Sequence, residues 1–344
     1  MTLPPLAKIS LALCIGALGG VSFYLIGLPL PWMLGALFAS MAAAILGAPV
    51  LPPNRIRPAT VAVIGVMLGA RFTPDFIAMA GAWGTSLGLL ALYMLCVSAV
   101  TVPYYRFAAK TDWQTAYLAG MPAGLTEMVE LGEEKGADVR AIILAHTLRI
   151  VITVALIAIW FRLIEGRNVG AMPNFGTAPL TLPDALLLLA SAVIGAWAGR
   201  KLHFPAPAFM GPLALSALLH ATEITASAPP VPVVIAAQII LGTVLGCRFI
   251  GVRPMVLARA AWLSLWATIA TLLIALGFAV LIHAVIGVTT DQVILALAPG
   301  GLTEMGLIAL AINADVAFVA LHHVVRILIV ILLAKPLFTL LPKG

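Results

Sequence analysis

Apolar runs recur along the whole chain, many of them near the roughly 20 residues that span a bilayer. In the first half they predict membrane helices at about 6–27, 30–48, 57–72, 76–107 and 138–164. In the second half the corresponding runs fall at about 183–203, 206–223, 231–249, 256–287 and 315–340. Between the fourth and fifth run of each half lie two shorter pieces, 112–121 and 125–136, then 290–298 and 302–313. Each is roughly half a span long. The polar positions that interrupt the pattern stand between these pieces, in "PAGLTEM" (Pro122–Met128) and "PGGLTEM" (Pro299–Met305).

The two interruptions belong to an internal repeat. "PLPWMLG" (Pro29–Gly35) matches "PAPAFMG" (Pro205–Gly211), and "IGVMLGARF" (Ile64–Phe72) matches "LGTVLGCRF" (Leu241–Phe249). Pro122–Arg149 aligns with Pro299–Arg326 without a gap, with 12 identities in 28 positions. The identities include Glu127/Glu304, Asp138/Asp315, His146/His323 and Arg149/Arg326. The chain therefore reads as membrane repeat 1 (6–164), a Gly-, Pro- and Asn-rich linker (165–182) and membrane repeat 2 (183–340).

Composition fixes the class. The chain is 62% hydrophobic and 9% charged, with a mean hydropathy of +1.13, whereas a soluble domain is about a quarter charged. This predicts an all-α integral membrane protein. The net charge of +6 would invite a nucleic-acid reading in a soluble protein. Here the basic residues sit at the ends of apolar runs, as topology determinants do, and no nucleic-acid partner is expected. Cys14, Cys96 and Cys247 lie inside apolar segments without metal-ligand spacing, so neither a disulfide framework nor a metal site is expected. The N-terminal run superficially resembles a signal peptide, but the "PLPWMLG" that follows it recurs later, so this end belongs to the fold.

Whether the two short pieces cross the membrane or turn back fixes the symmetry of the repeats. With the N-terminus cytoplasmic and the pieces re-entrant, 14 Lys and Arg fall on the cytoplasmic side and three outside. If the pieces cross, the split is nine to eight. The positive-inside rule expects a bias. The expected fold is thus two inverted repeats, each with five transmembrane helices and one re-entrant or broken helical hairpin, the hairpins meeting near the midplane.

Interrupted helices at matching positions of inverted repeats point to a secondary transporter. Non-helical backbone at membrane depth must be buried in protein or line a polar cavity. Pro122 and Pro299 break the helical hydrogen bonding, and Gly124, Gly300 and Gly301 let a solute approach the main chain. Thr126 and Thr303 are expected to cap the following half-helix, whose N-terminus favours an anion. Glu127 and Glu304 sit near that end. By rise per residue they stand level with Arg149 and Arg326 on the next span, so the sequence predicts two Glu–Arg pairs. His146 and His323 lie on the same helix face as the arginines. The pairs can serve as structural clasps, or as a site with arginine as anion ligand and Glu or His as titrating group.

Arg71 and Arg248 are weaker candidates for the solute path, as are Gln238 and Gln292 for cavity groups; snorkelling arginines are the alternative. Trp83, Trp160 and Trp197 suit interfacial belts. His322, adjacent to His323, points elsewhere on the helix, which argues against a metal site.

Duplicated "P-x-G-L-T-E-M" segments with "A-D-V" and "H-x-x-R" downstream resemble the bacterial AbrB-type membrane protein family, over about residues 10–340. Its members contain a tandem membrane repeat and are often labelled as ammonia monooxygenase or regulator. The resemblance implies an integral inner-membrane protein, and by name a link to regulation of gene expression. It supplies no catalytic residues. Copper or iron oxygen chemistry would need a cluster of imidazoles, or of imidazoles and carboxylates, with open metal positions, which six histidines mostly at separate span ends do not provide. The expectation is therefore a non-enzymatic secondary transporter of a small anionic or polar metabolite, proton- or sodium-coupled, in the bacterial inner membrane, with no cofactor and with the lipid bilayer, a solute and the coupling ion as partners. A homodimer is left open. A membrane sensor that alters expression indirectly is the second reading and a metal-dependent monooxygenase the third.

Overall fold

The computed structural model describes residues 3–72, 74, 81, 83–167 and 180–338, without the side chains of Thr126 and Lys335. Most of the expected linker, the start of the expected helix 76–107 and the last residues of 315–340 lie outside the described residues. Fourteen α-helices are described. In the first half they are α1 (Pro5–Leu25), α2 (Pro31–Ile45), α3 (Arg57–Gly69), α4 (Gly84–Phe107), α5 (Trp113–Gly120), α6 (Leu125–Lys135) and α7 (Val139–Leu163). In the second half they are α8 (Leu182–Lys201), α9 (Pro207–Ala221), α10 (Val231–Gly246), α11 (Pro254–Ile286), α12 (Thr290–Leu297), α13 (Leu302–Ala311) and α14 (Val316–Phe338). A short 3-10 turn, Cys247–Phe249, follows α10. The order and approximate lengths of α1–α7 recur in α8–α14.

Seven of the described helices are long and apolar enough to cross a membrane: α1, α4, α7, α8, α10 with its 3-10 turn, α11 and α14. The sequence predicted ten such spans. The difference lies in α2, α3 and α9, which have 15, 13 and 15 residues. At 1.5 Å per residue they are about 20–23 Å long, shorter than a hydrocarbon core of about 30 Å. Proline sets where α2 and α9 start. Pro31 and Pro207 occupy the first helical position, and the residues before them, Leu30 and Ala206, take left-handed backbone angles (φ 44° and 45°). That conformation is uncommon outside glycine, and it occurs at equivalent places in both halves.

The chain divides into two compact units that cut across the sequence halves. One holds α1–α3, α8–α10 and the 3-10 turn. Close backbone approach organises it. A side chain at Gly19 of α1 would collide with the carbonyl of Gly35 in α2, and one at Gly211 of α9 with the carbonyl of Gly195 in α8. Here the lack of a side chain is what lets the helices touch. Gly65 and Gly69 of α3 meet the carbonyls of Phe209 and Leu213 in α9, while Gly242 and Gly246 of α10 meet those of Met33 and Leu37 in α2. Numbers rise together in each contact, so α3 runs parallel to α9 and α10 parallel to α2. Gly20 lies on Trp32 and Gly16 near Ala36, so α1 and α2 are antiparallel. After α2 the chain stays at that end. The Leu51 amide donates to the Lys8 carbonyl (3.3 Å), and residues 52–56 turn through bonds from Asn54 to Pro52 and Ile56 to Pro53. Helix α3 therefore runs back antiparallel to α2.

The other unit holds α4–α6, α11, α12 and most of α7, α13 and α14. Its longest helices, α4 and α11, pack side by side. Tyr93 stacks edge-on against Phe278 (5.6 Å), and the Tyr105 hydroxyl faces that of Ser264 (3.5 Å). As numbers rise in one helix they fall in the other, so α4 and α11 are antiparallel. Helices α5 and α6 form a hairpin whose two ends meet: the Asp138 amide donates to the Thr115 hydroxyl (2.9 Å). Gly136, at φ 71°, ends α6 with the left-handed turn that glycine tolerates.

Candidate functional site

Each hairpin ends in a short non-helical tip, Met121–Gly124 and Ala298–Gly301. A tip leaves the last carbonyls of one half-helix and the first amides of the next without helical partners. Inside a membrane no water is at hand to satisfy them. The structure satisfies the carbonyls with an arginine from the following long helix. Arg149 Nη1 donates to Met121 O (2.7 Å) and Nη2 to Ala123 O (3.1 Å). One repeat later, Arg326 Nη1 donates to Ala298 O (2.7 Å) and Leu297 O (3.4 Å), and Nη2 to Gly300 O (3.3 Å). Met121/Ala298 and Ala123/Gly300 are equivalent positions, so the same clamp is built twice. Both arginines are buried, 8% and 7% exposed.

This corrects the expected Glu–Arg pairs. The ion pairs among the described residues are Lys135–Glu134 and Arg167–Glu165, at the ends of helices. Neither Glu127 nor Glu304 is within ion-pair distance of an arginine. Each sits at the third position of its half-helix and folds its carboxylate back over the tip, where a side chain on Gly124 or Gly301 would collide with it. The physical reason is that each carboxylate stands in the first turn of its own half-helix, where the helix dipole favours negative charge. The arginine then serves the tip carbonyls, of which Met121 O also accepts from the Ala123 amide (2.8 Å) and Leu297 O from Tyr93 (2.8 Å). The expected threonine caps are corrected as well. Gly124 is the N-cap of α6, without a side-chain bond, and the Thr126 side chain lies outside the described residues. Thr303 donates its hydroxyl to Glu304 Oε2 (2.7 Å).

The histidines extend the clamp unequally. Arg149 Nη2 also lies 3.0 Å from His146 Nδ1. A guanidinium only donates, so Nδ1 accepts, and Nε2–H donates to Leu118 O (2.7 Å). Both ring nitrogens of His146 are used. His323 donates from Nδ1 to Ala296 O (3.1 Å), but its Nε2 is buried without a partner. His322 is turned away, against the Ser86 hydroxyl (2.9 Å) and the Phe318 ring.

Helix α4 touches both hairpins. The Thr101 hydroxyl donates to Gly120 O (2.7 Å) at the end of α5, and the Tyr93 hydroxyl to Leu297 O (2.8 Å) at the end of α12. Tyr117 of α5 donates to Ala334 O of α14 (3.0 Å). Tyr93 and Arg326 share Leu297 O as acceptor (2.8 and 3.4 Å). The second unit thus gathers two hairpin tips, two buried guanidinium groups and two half-helix N-termini. Pro122, Pro299 and the tip glycines fall where the sequence placed them.

The sequence reading did not single out Tyr93, Thr101 or Tyr117. A tyrosine in an otherwise apolar run is a signal that was available, because a buried hydroxyl needs a partner. Of the weaker candidates, Gln292 is half-buried in α12, several residues from its tip. Arg71 (exposed), Arg248 (half-buried) and Gln238 (buried) belong to the first unit.

Paired broken hairpins, clamped by buried arginines within a bundle of apolar spans, define an all-helical multi-pass membrane protein. The chain belongs to the AbrB family: a family profile described as "Transition state regulatory protein AbrB" matches residues 32–342. It is similar to a Bacillus subtilis (strain 168) protein named "Uncharacterized protein YhjN", 25% identical over 96% of this chain and 92% of the relative. It is also similar to "Putative regulator AbrB" of Escherichia coli (strain K12), 24% identical over 98% of this chain and 97% of that protein.

Proposed function

We propose that the protein is a secondary transporter of a small anionic metabolite in the bacterial inner membrane, built from two inverted repeats whose hairpin tips receive the solute. The observation that carries the anion is the charge at the tips. A guanidinium group is buried at each tip, and among the described residues no carboxylate pairs with either. Buried charge without a counter-charge is costly, and two half-helix N-termini add positive potential. Helix direction supports inversion. The equivalent helices α4 and α11 run antiparallel. So do α3 and α10, since α10 follows α2 and α3 opposes it. The meeting of Thr115 with Asp138 supports re-entry of the first hairpin. In each tip two carbonyls already accept from arginine, which leaves fewer oxygens for sodium and favours the proton as coupling ion.

The test is uptake of labelled small carboxylates and inorganic phosphate into proteoliposomes, with and without imposed proton and sodium gradients. Accumulation of one of them, lost in Arg326→Lys protein that remains folded, is the expected result. Absence of flux for every anion contradicts the reading. The printed name of the Escherichia coli relative favours a second reading, a membrane sensor. A sensor binds the anion without flux and copurifies with a soluble partner.

A further inference from the structure

Two polar atoms on one face of α7 are buried and have no partner: Arg149 Nε and Thr153 Oγ1. They are one helical turn apart and therefore neighbours. The terminal nitrogens of Arg149 each make at least one bond, to Met121, Ala123 and His146, whereas Nε–H makes none. Thr153 is 0% exposed. A helical threonine ordinarily gives its hydroxyl to the carbonyl four residues back, as Thr60 and Thr271 do here at 2.8 Å each. Thr153 does not. A third such atom, Thr268 Oγ1 of α11, adjoins Ala267, which packs in one cluster with Ala145 of α7.

Fold symmetry does not demand this arrangement. The position equivalent to Thr153 in the second repeat is Val330, apolar and 1% exposed. Arg326 Nε is not among the buried atoms lacking a partner. One repeat thus carries an orphaned guanidinium N–H and an orphaned hydroxyl one turn away, and the other closes the place of the hydroxyl with a methyl group.

We infer that Arg149 Nε and Thr153 Oγ1 form the contact site for one oxyanion group of the solute, a carboxylate or a phosphate. This rests on the transporter reading for its purpose, though not for its geometry. The clamp holds the first tip with one edge of the guanidinium, while Nε–H and the threonine hydroxyl are offered to the ligand. Arg326 contributes positive potential from the second tip.

The test is titration of the purified full-length protein with potassium acetate, potassium succinate and potassium phosphate, against potassium chloride, by calorimetry and thermal shift. Wild type is expected to bind a carboxylate or phosphate and not chloride, and which of the salts binds identifies the source of the oxyanion. Thr153→Val should weaken that binding about tenfold or more, the loss of one charge-assisted hydrogen bond. Thr153→Ser should bind like wild type, and Val330→Thr should change nothing. The melting temperature of ligand-free Thr153→Val should match or exceed that of wild type, because an unsatisfied hydroxyl is removed without loss of volume. Wild-type affinity in Thr153→Val, or binding of none of the three anions to wild type, overturns the inference. Thr153-dependent binding without flux would remove the transporter reading and keep the site. Flux indifferent to Thr153→Val would do the reverse.

Discussion

The two hairpins are built on one plan and furnished differently. Both have a proline–glycine tip, a glutamate folded over the next half-helix and an arginine on the tip carbonyls. The first adds a histidine with both nitrogens engaged, a threonine with a free buried hydroxyl, and a half-helix whose far end is acidic and wet (Glu130, Glu133, Glu134). The second has a histidine with a bare Nε2, a valine in place of the threonine, and a half-helix that is apolar and buried along most of its length. What is common to both is what membrane burial of a broken helix requires. What differs is where a solute could be read.

The largest expected effect tests the common part. Arg149→Ala strands Ala123 O and His146 Nδ1, with Met121 O still held by the Ala123 amide, and Arg326→Ala strands Ala298 O and Gly300 O, with Leu297 O still held by Tyr93. At roughly 1–3 kcal/mol for each buried group left unsatisfied, each variant should lose on the order of 3 kcal/mol. A lowered melting temperature in detergent measures this. Lysine at either position should recover only part, because a point charge cannot fork across two carbonyls. The histidines should then separate the hairpins. His146→Leu breaks two hydrogen bonds and should cost about 2 kcal/mol. His323→Leu breaks one and removes an orphaned nitrogen, so about 1 kcal/mol or less is expected. Equal losses would erase the distinction.

Smaller effects sharpen the comparison further. Gly124→Ala and Gly301→Ala place a methyl group against the folded-back carboxylate. Each should cost about 1 kcal/mol, and Glu304→Ala should suppress the cost of Gly301→Ala in a double-mutant cycle. At the hairpin entrances, Asp112 caps α5 by accepting from the Thr115 amide (2.7 Å) and hydroxyl (2.6 Å), whereas Thr289 makes no side-chain cap on α12. Asp112→Ala should therefore speed amide exchange in α5 by about 1 kcal/mol, and Thr289→Ala should leave α12 nearly unchanged. Partial burial raises the Asp112 pKa, but the Thr115 side-chain and backbone hydrogen bonds outweigh it and hold it below its ordinary value. The contribution of its charge is full above the ordinary aspartate pKa and is lost as pH falls through the lowered one.

The helix pieces and the paired tips were legible in the sequence, because proline, glycine and a 177-residue echo are local signals. The partner of each arginine was not. Height along a helix says that Arg149 reaches the tip, but Glu127 and the Met121 carbonyl lie at nearly the same height. The deciding quantity is how many backbone acceptors a broken helix leaves without water. Counting orphaned carbonyls at the end of α5 would have favoured the clamp. The short lengths of α2, α3 and α9 were also hidden, since apolar flanks such as Leu46 and Ile56 extend each run without extending the helix. Tyr93 and Thr153 carry no pattern of their own, and their roles appear only when burial and unmet hydrogen bonds are known.

The central claim is that the second hairpin is the first one entered from the opposite face. Single cysteines at Lys135 and Asn313, in protein with Cys14, Cys96 and Cys247 replaced by serine or alanine, test it directly with a membrane-impermeant maleimide on intact and inverted vesicles. The account predicts that residue 135 labels from the cytoplasmic face and residue 313 from the opposite face. Labelling of both residues from one face would contradict it.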